Sequence, residues 1–274
     1  MSARPARGRS DARPDGLWGF AAVAVLLPLF LGVALLALVT SLTPATLLRH
    51  LASDTALRAL ALTLRTTLVA TLITMGLGTP LAYVLARRRF PGRAAVDVLI
   101  DLPITIPPVV AGVALLLAFG RRGLLGHALQ AFGVSLPFTT AAVVMAQVFI
   151  ASPFYVKAAR AGFAAVDTSL EAAARTLGAS PWRVFRTVTV PLAAPALMAG
   201  TILAWARALS EFGATIMFAG NLPGRTQTLT LAVMTAIESD VDTAVAVATL
   251  ALALAAAALL AARLLARRWD VPHG

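Results

Sequence analysis

Charge vanishes from this chain in six long stretches, at 17–39, 66–86, 102–120, 134–156, 188–206 and 243–262, and gathers between them. Each stretch is close to the length a helix needs to cross a hydrocarbon layer ~30 Å thick, about 20 residues. The runs are rich in alanine and leucine and lack the in–out alternation of a membrane barrel strand. The pattern predicts an all-α protein, a polytopic transmembrane helical bundle of about six spans. Hydrophobic residues make up 59% of the chain and charged residues 13%. With a mean hydropathy of +0.85, such a composition excludes an ordinary soluble fold.

The polar residues between the runs set the organisation. Residues 1–16 form a tail rich in Arg, Pro, Ser and Gly, expected to be disordered and cytoplasmic. Residues 17–56 hold the first span and an external loop carrying Pro44, His50 and Asp54. The apolar run resembles a signal peptide but is too long for one, and reads as a retained anchor helix. The core spans 57–265, and 266–274 is a second cytoplasmic tail. With the N-terminus inside, the inner segments hold sixteen of the 23 basic residues. The positive-inside rule therefore places both termini and the loop at 167–191 in the cytoplasm. The net charge of +11 does not point to nucleic acid, because the arginines are spread over four loops and not one face. The absence of cysteine excludes disulfides and thiolate metal sites.

The loop at 167–191 is a polar, basic island. Thr168 and Glu171 have capping-box spacing, which satisfies free N–H groups at a helix start. Ala172, Ala173 and Ala174 favour helix, and Glu171 and Arg175 form a favourable i,i+4 pair. Gly178 sits where a left-handed helix end belongs. Ser180 and Pro181 restart a helix, and Pro191 limits its unkinked length. The expectation is two short helices joined by a glycine, a compact handle for another protein.

Three further features carry polar chemistry within the oily runs. Gly76, Gly78 and Pro80 in the second run fit either close helix packing with a kink or the lining of a path. Pro103, Pro107 and Pro108 preclude an ordinary straight helix at the head of the third, where they serve either as a helix entrance or as a broken span. Near the end of the fifth, Arg207 and Glu211 are charged at membrane depth, where such groups face the bundle interior or a wet cavity. At i,i+4 they can neutralise each other, so a structural ion pair and a transport role both stand. Gly220-Asn221-Leu222-Pro223-Gly224 is a turn by composition.

Enzyme chemistry finds no footing. His50, His127 and His273 are far apart, and Lys157, the one lysine, has no glycine-rich phosphate loop before it. The residues offer no catalytic group, no metal ligands and no cofactor site. If the chain pumps, its energy arrives through a partner.

Glu171-Ala172-Ala173, with Gly178 seven residues after Glu171 and Val188-Thr189-Val190-Pro191 beyond it, resembles the Glu-Ala-Ala signature of permease subunits of bacterial ABC importers. Valine replaces isoleucine at 188 and leucine at 190. The resemblance implies a type I importer permease fold and assigns Glu171, Ala172, Ala173 and Gly178 to coupling with a cytoplasmic ATPase. Within that family, the string from Ala206 to Thr228 and the segment from Leu102 to Gly112 are similar to molybdate and tungstate permeases. Ser210 stands where glycine is expected, and sulfate permeases are the nearest alternative. The implied partners are a second copy of the chain, an ATPase pair holding ATP and magnesium, an external oxyanion-binding protein (periplasmic or lipid-anchored) and membrane lipids. Arg207, Glu211, Thr215 and Asn221 are the expected path residues, and the setting is a bacterial inner membrane. A receptor or assembly protein without transport, or an ion-driven carrier, are the readings of another class.

Overall fold

The computed structural model describes residues 17–269. The expected tail at 1–16 and the last five residues of the expected tail at 266–274 lie outside the described residues. The chain divides into two compact units at Thr43. The first contains α1 (Leu17–Thr40), whose residues from Val23 to Thr40 are long and apolar enough to cross a membrane.

The second unit begins with α2 (Pro44–Leu51), a short helix where the sequence predicts only a loop. Ser53 then caps α3 (Asp54–Arg87) by accepting from the Ala56 N–H. At 34 residues, α3 is about 50 Å long and begins well before the predicted run at 66–86. Pro80 sits inside it without ending it. After Gly92 the chain forms α4 (Arg93–Thr105) and α5 (Pro108–Phe119), which meet at 119°. The run at 102–120 is therefore not one straight span. Two consecutive prolines remove two amide donors and push Ile106 and Pro107 into extended backbone. Their ψ angles are 144° and 135°.

A short α6 (Gly126–Ala131) precedes α7 (Thr140–Ala165), capped by the Thr139 hydroxyl. The fourth span thus starts and ends later than 134–156. Next come α8 (Thr168–Thr176), α9 (Pro181–Val184), a π-helical turn (Phe185–Thr189) and α10 (Val190–Leu209). From Pro181 to Leu209 the helix is continuous across Pro191, so the second of the two expected short helices is the foot of a span. The chain closes with α11 (Gly213–Ala219), α12 (Leu229–Ile237) and α13 (Val241–Trp269). Among the described residues five helices are long and apolar enough to cross a membrane, and the bent α4–α5 pair makes a sixth crossing if taken together.

Small residues let α3, α7 and α10 approach closely, which drives helix association in lipid. The Thr79 and Tyr155 hydroxyls lie 2.6 Å apart, and Arg87 reaches the Val166 carbonyl, so α3 and α7 run parallel. Gly200 lies against Ala158 while Gly162 lies against Ala196, so α10 returns antiparallel to α7. Gly78 faces the Tyr155 ring, whereas Gly76 has nothing near it. Ala111, Ile150, Ala214 and Phe218 pack α5, α7 and α11 together. Ala59, Leu229 and Val247 join α3, α12 and α13.

Candidate functional site

At one end of the bundle, α8 stands on a buried ion pair. The Glu171 side chain is only 5% exposed, and Arg87, at the foot of α3, is 12% exposed. Glu171 Oε1 accepts from Arg87 Nη2 at 2.7 Å and from the Thr189 hydroxyl at 2.9 Å. Arg87 Nη2 also donates to the Val166 carbonyl at 3.0 Å, and Arg175 Nη2 stands 3.6 Å from Glu171 Oε2. One carboxylate therefore ties together α3, the end of α7, α8 and the π-helical turn. The expected capping box does not form. Asp167, not Thr168, is the cap, accepting from the Ser169 N–H at 2.8 Å, and this bond holds the Asp167 carboxyl below its ordinary range. A charge-assisted bond to a shielded guanidinium is stronger than a bond to a terminal amide, so Glu171 turns inward. Arg87 is 84 residues from Glu171. Its sequence signal, the first arginine of a run, reads as a topology anchor.

Ala172 and Ala173 face outward beside half-exposed Leu170, and Leu177 is 89% exposed. Gly178 has φ +85°, with its N–H bonded to the Arg175 carbonyl and the Ala179 N–H bonded to the Ala174 carbonyl. That is the two-bond left-handed helix end, and it directs the chain back at once. Ser180 caps the next helix by accepting from the Arg183 N–H, with Pro181 first in it. The result is a small knuckle, apolar outside and bolted to the bundle by charge inside.

The second group lies at the far end of α10. Arg207 Nη2 is 3.1 Å from Glu211 Oε2, with Glu211 fully shielded and Arg207 24% exposed. The other carboxylate oxygen accepts from the Ala214 N–H at 2.7 Å, and so Glu211 caps α11. The Glu211 carbonyl accepts from the Thr230 hydroxyl at 2.8 Å. Thr215 is fully buried one turn into α11. The structure thus joins Arg207 to Glu211 and sets Thr215 on the helix that Glu211 caps. Asn221 is held elsewhere, donating to the Thr235 hydroxyl at 2.7 Å.

Sequence reasoning missed the threonines supporting this end. Thr63, Thr66, Thr67, Thr71 and Thr74 are all buried along α3. The Thr63 hydroxyl accepts from the Leu229 N–H at 2.8 Å, and Thr67 accepts from the Trp205 indole at 3.1 Å. Their i,i+4 and i,i+3 spacing is the signal of one helical face.

Residues 78–271, holding both groups, match the family described as "Binding-protein-dependent transport system inner membrane component". The chain belongs to this family. This permease is 43% identical over 188 residues to the "Molybdenum transport system permease protein ModB" of Escherichia coli K12, a match covering 68% of this chain and 82% of that one. It is 45% identical to the protein of the same description from Mycobacterium tuberculosis, over 69% of this chain and 71% of that one. It is 44% identical over 156 residues to the "Molybdate/tungstate transport system permease protein WtpB" of Thermococcus kodakarensis, covering 57% and 58%. In fold it is similar to a bacterial alginate ABC transporter chain, at a TM-score of 0.73 and 17% identity, over 94% of this chain and 97% of that one. A methionine ABC transporter chain, captured facing inward, matches at 0.56 and 19% identity, covering 77% and 94%. The fold is that of ABC importer permeases, and the chain is an integral membrane protein.

Proposed function

We propose that this chain is the permease of an ATP-driven importer of molybdate or tungstate in a bacterial inner membrane, with both termini in the cytoplasm. Two copies form the pathway, a cytoplasmic ATPase pair holding ATP and magnesium grips the two knuckles, and an external binding protein delivers the oxyanion. The observation that carries the substrate is the 43–45% identity to permeases named for molybdenum. The arginine-rich ends support the orientation. The knuckle supports the coupling role of Glu171, Ala172, Ala173 and Gly178: the alanines face outward for a groove in the motor while Glu171 carries the push inward. ATP binding draws the knuckles together and opens the path outward; hydrolysis resets it.

A path between two copies is lined by groups that reach the surface of one. Arg207 and Asn221 are partly exposed, whereas Glu211 and Thr215 are enclosed. Arg207 and Asn221 therefore meet the anion, and Glu211 and Thr215 position the elements that carry them. Glu211 cancels most of the long-range field of Arg207, so Arg207 acts at short range through the N–H donors it does not spend on Glu211 and the Ser210 hydroxyl. A bond to a charged group contributes about 1.5–3 kcal/mol, so R207Q slows ATP-driven molybdate uptake into proteoliposomes roughly tenfold or more. The double variant R207Q/E211Q stays slow. Recovery of the wild-type rate in that double variant reduces the pair to scaffolding. Equal competition by sulfate for uptake overturns the substrate assignment.

A further inference from the structure

We propose that a groove between the end of α3 and the start of the α9–α10 helix binds one anionic phospholipid, a role separate from transport itself. The groove encloses about 480 Å³, within the usual range of small-molecule sites. Its floor and walls are apolar: Tyr83, Val84, Phe185 and Trp182 line it, and Arg88 and Arg175 stand on its rim. The aromatic wall is built, not incidental. Phe185 packs on Tyr83 with ring centroids 4.9 Å apart, and Trp182 stacks on Phe185 at 5.5 Å. Trp182 nonetheless remains 68% exposed, an amphipathic ring where two spans end, the level at which tryptophan anchors in a membrane interface.

Of the two rim charges, Arg88 is uncommitted and Arg175 is only loosely paired, with Glu171. Arg88 is the first residue beyond α3 and is exposed. Among the described residues no carboxylate stands within ion-pair distance of it. The neighbouring carboxylates are engaged elsewhere, Glu171 with Arg87 and Asp97 with Arg160. Arg175 is half exposed and touches Glu171 only at 3.6 Å. Two guanidiniums above an apolar aromatic slot fit one occupant: a phosphate with acyl chains attached, held by charge at the head and by contact along the chain. Basic pockets between membrane helices select anionic head groups in this way.

The test uses the full chain in nonionic detergent, given equal amounts of phosphatidylglycerol and phosphatidylcholine, with bound lipid counted by native mass spectrometry. Each interfacial arginine favours an anionic lipid by roughly fivefold. Wild type therefore retains phosphatidylglycerol over phosphatidylcholine by at least that factor, R88Q loses about fivefold of the preference, and R88Q/R175Q loses all of it. W182A lowers retention of both lipids equally. Because Arg88 holds no carboxylate, R88Q keeps the fold, which a monodisperse elution profile checks. The proposal fails if wild type shows no preference or if the double variant keeps it. It fails equally if R88Q leaves lipid retention intact and instead weakens binding of the ATPase subunit.

Discussion

Removing the Glu171 carboxylate tests the tie between the knuckle and the bundle. In E171A, Arg87 keeps its bond to the Val166 carbonyl but loses its charge partner at 2.7 Å, in a place where its side chain is only 12% exposed. Breaking a buried pair by deleting one member costs about 3–5 kcal/mol, because the other charge is left shielded and uncompensated. For a chain of this size that lowers Tm by about 10 °C. Replacing both members with apolar side chains, R87M/E171L, avoids the stranded charge. It forfeits the bonds to the Thr189 hydroxyl and the Val166 carbonyl, about 1 kcal/mol each, and the looser Arg175 contact at 3.6 Å. The double variant is therefore more stable than either E171L or R87M alone, and the cycle of these three with wild type shows coupling of at least about 2 kcal/mol. Tryptophan fluorescence during thermal unfolding in detergent measures all of these. E171A also hydrolyses ATP with its partner at a higher ratio of turnover to uptake, because the knuckle no longer pushes on α3. A Tm within about 2 °C of wild type, or additive single variants, refutes the reasoning.

Two further outcomes follow from particular contacts. A Cβ at Gly112 would stand 2.7 Å from Met217 Cβ and 2.8 Å from the Ala214 carbonyl, so G112A forces α5 off α11 at a cost of about 1–3 kcal/mol, read as a lower Tm and slower uptake. The Asp167 carboxyl titrates below the ordinary carboxylate range because the Ser169 N–H bonds to its charged form. A lowered folded value means the stabilisation is complete above the unfolded value and is lost as pH falls through the folded one. Protection of the Ser169 and Leu170 amides, measured against their intrinsic exchange rates, therefore weakens as pH falls below about 4, and D167N removes that pH dependence.

Where the helices run was largely legible, because a backbone in lipid must satisfy its own hydrogen bonds and so writes each span as a long uncharged stretch. Gly178 was legible for a similar reason, since a positive φ after a polar helix leaves few residues to choose from. The Arg207–Glu211 contact was readable from its i,i+4 spacing. The partners of Glu171 were not, because Arg87 and Thr189 are joined to it only by tertiary packing and no local period relates them. The same holds for Thr63 and Leu229, 166 residues apart. The Pro107–Pro108 pair announced a break but not its angle, which depends on how α4 docks on α7 through the Asp97–Arg160 and Asp101–Lys157 pairs.

The wide turn at Phe185–Thr189 sets the rotational phase of everything after it. Each residue advances an α-helix by about 100°, so ironing those five residues into ordinary helix would spin the rest of the span about its axis by roughly that amount. Arg207 would swing away from its present facing without any sideways travel. On the proposed coupling role, such a slack coil at the base of the helix would turn a tug at the membrane surface into a twist at its other end.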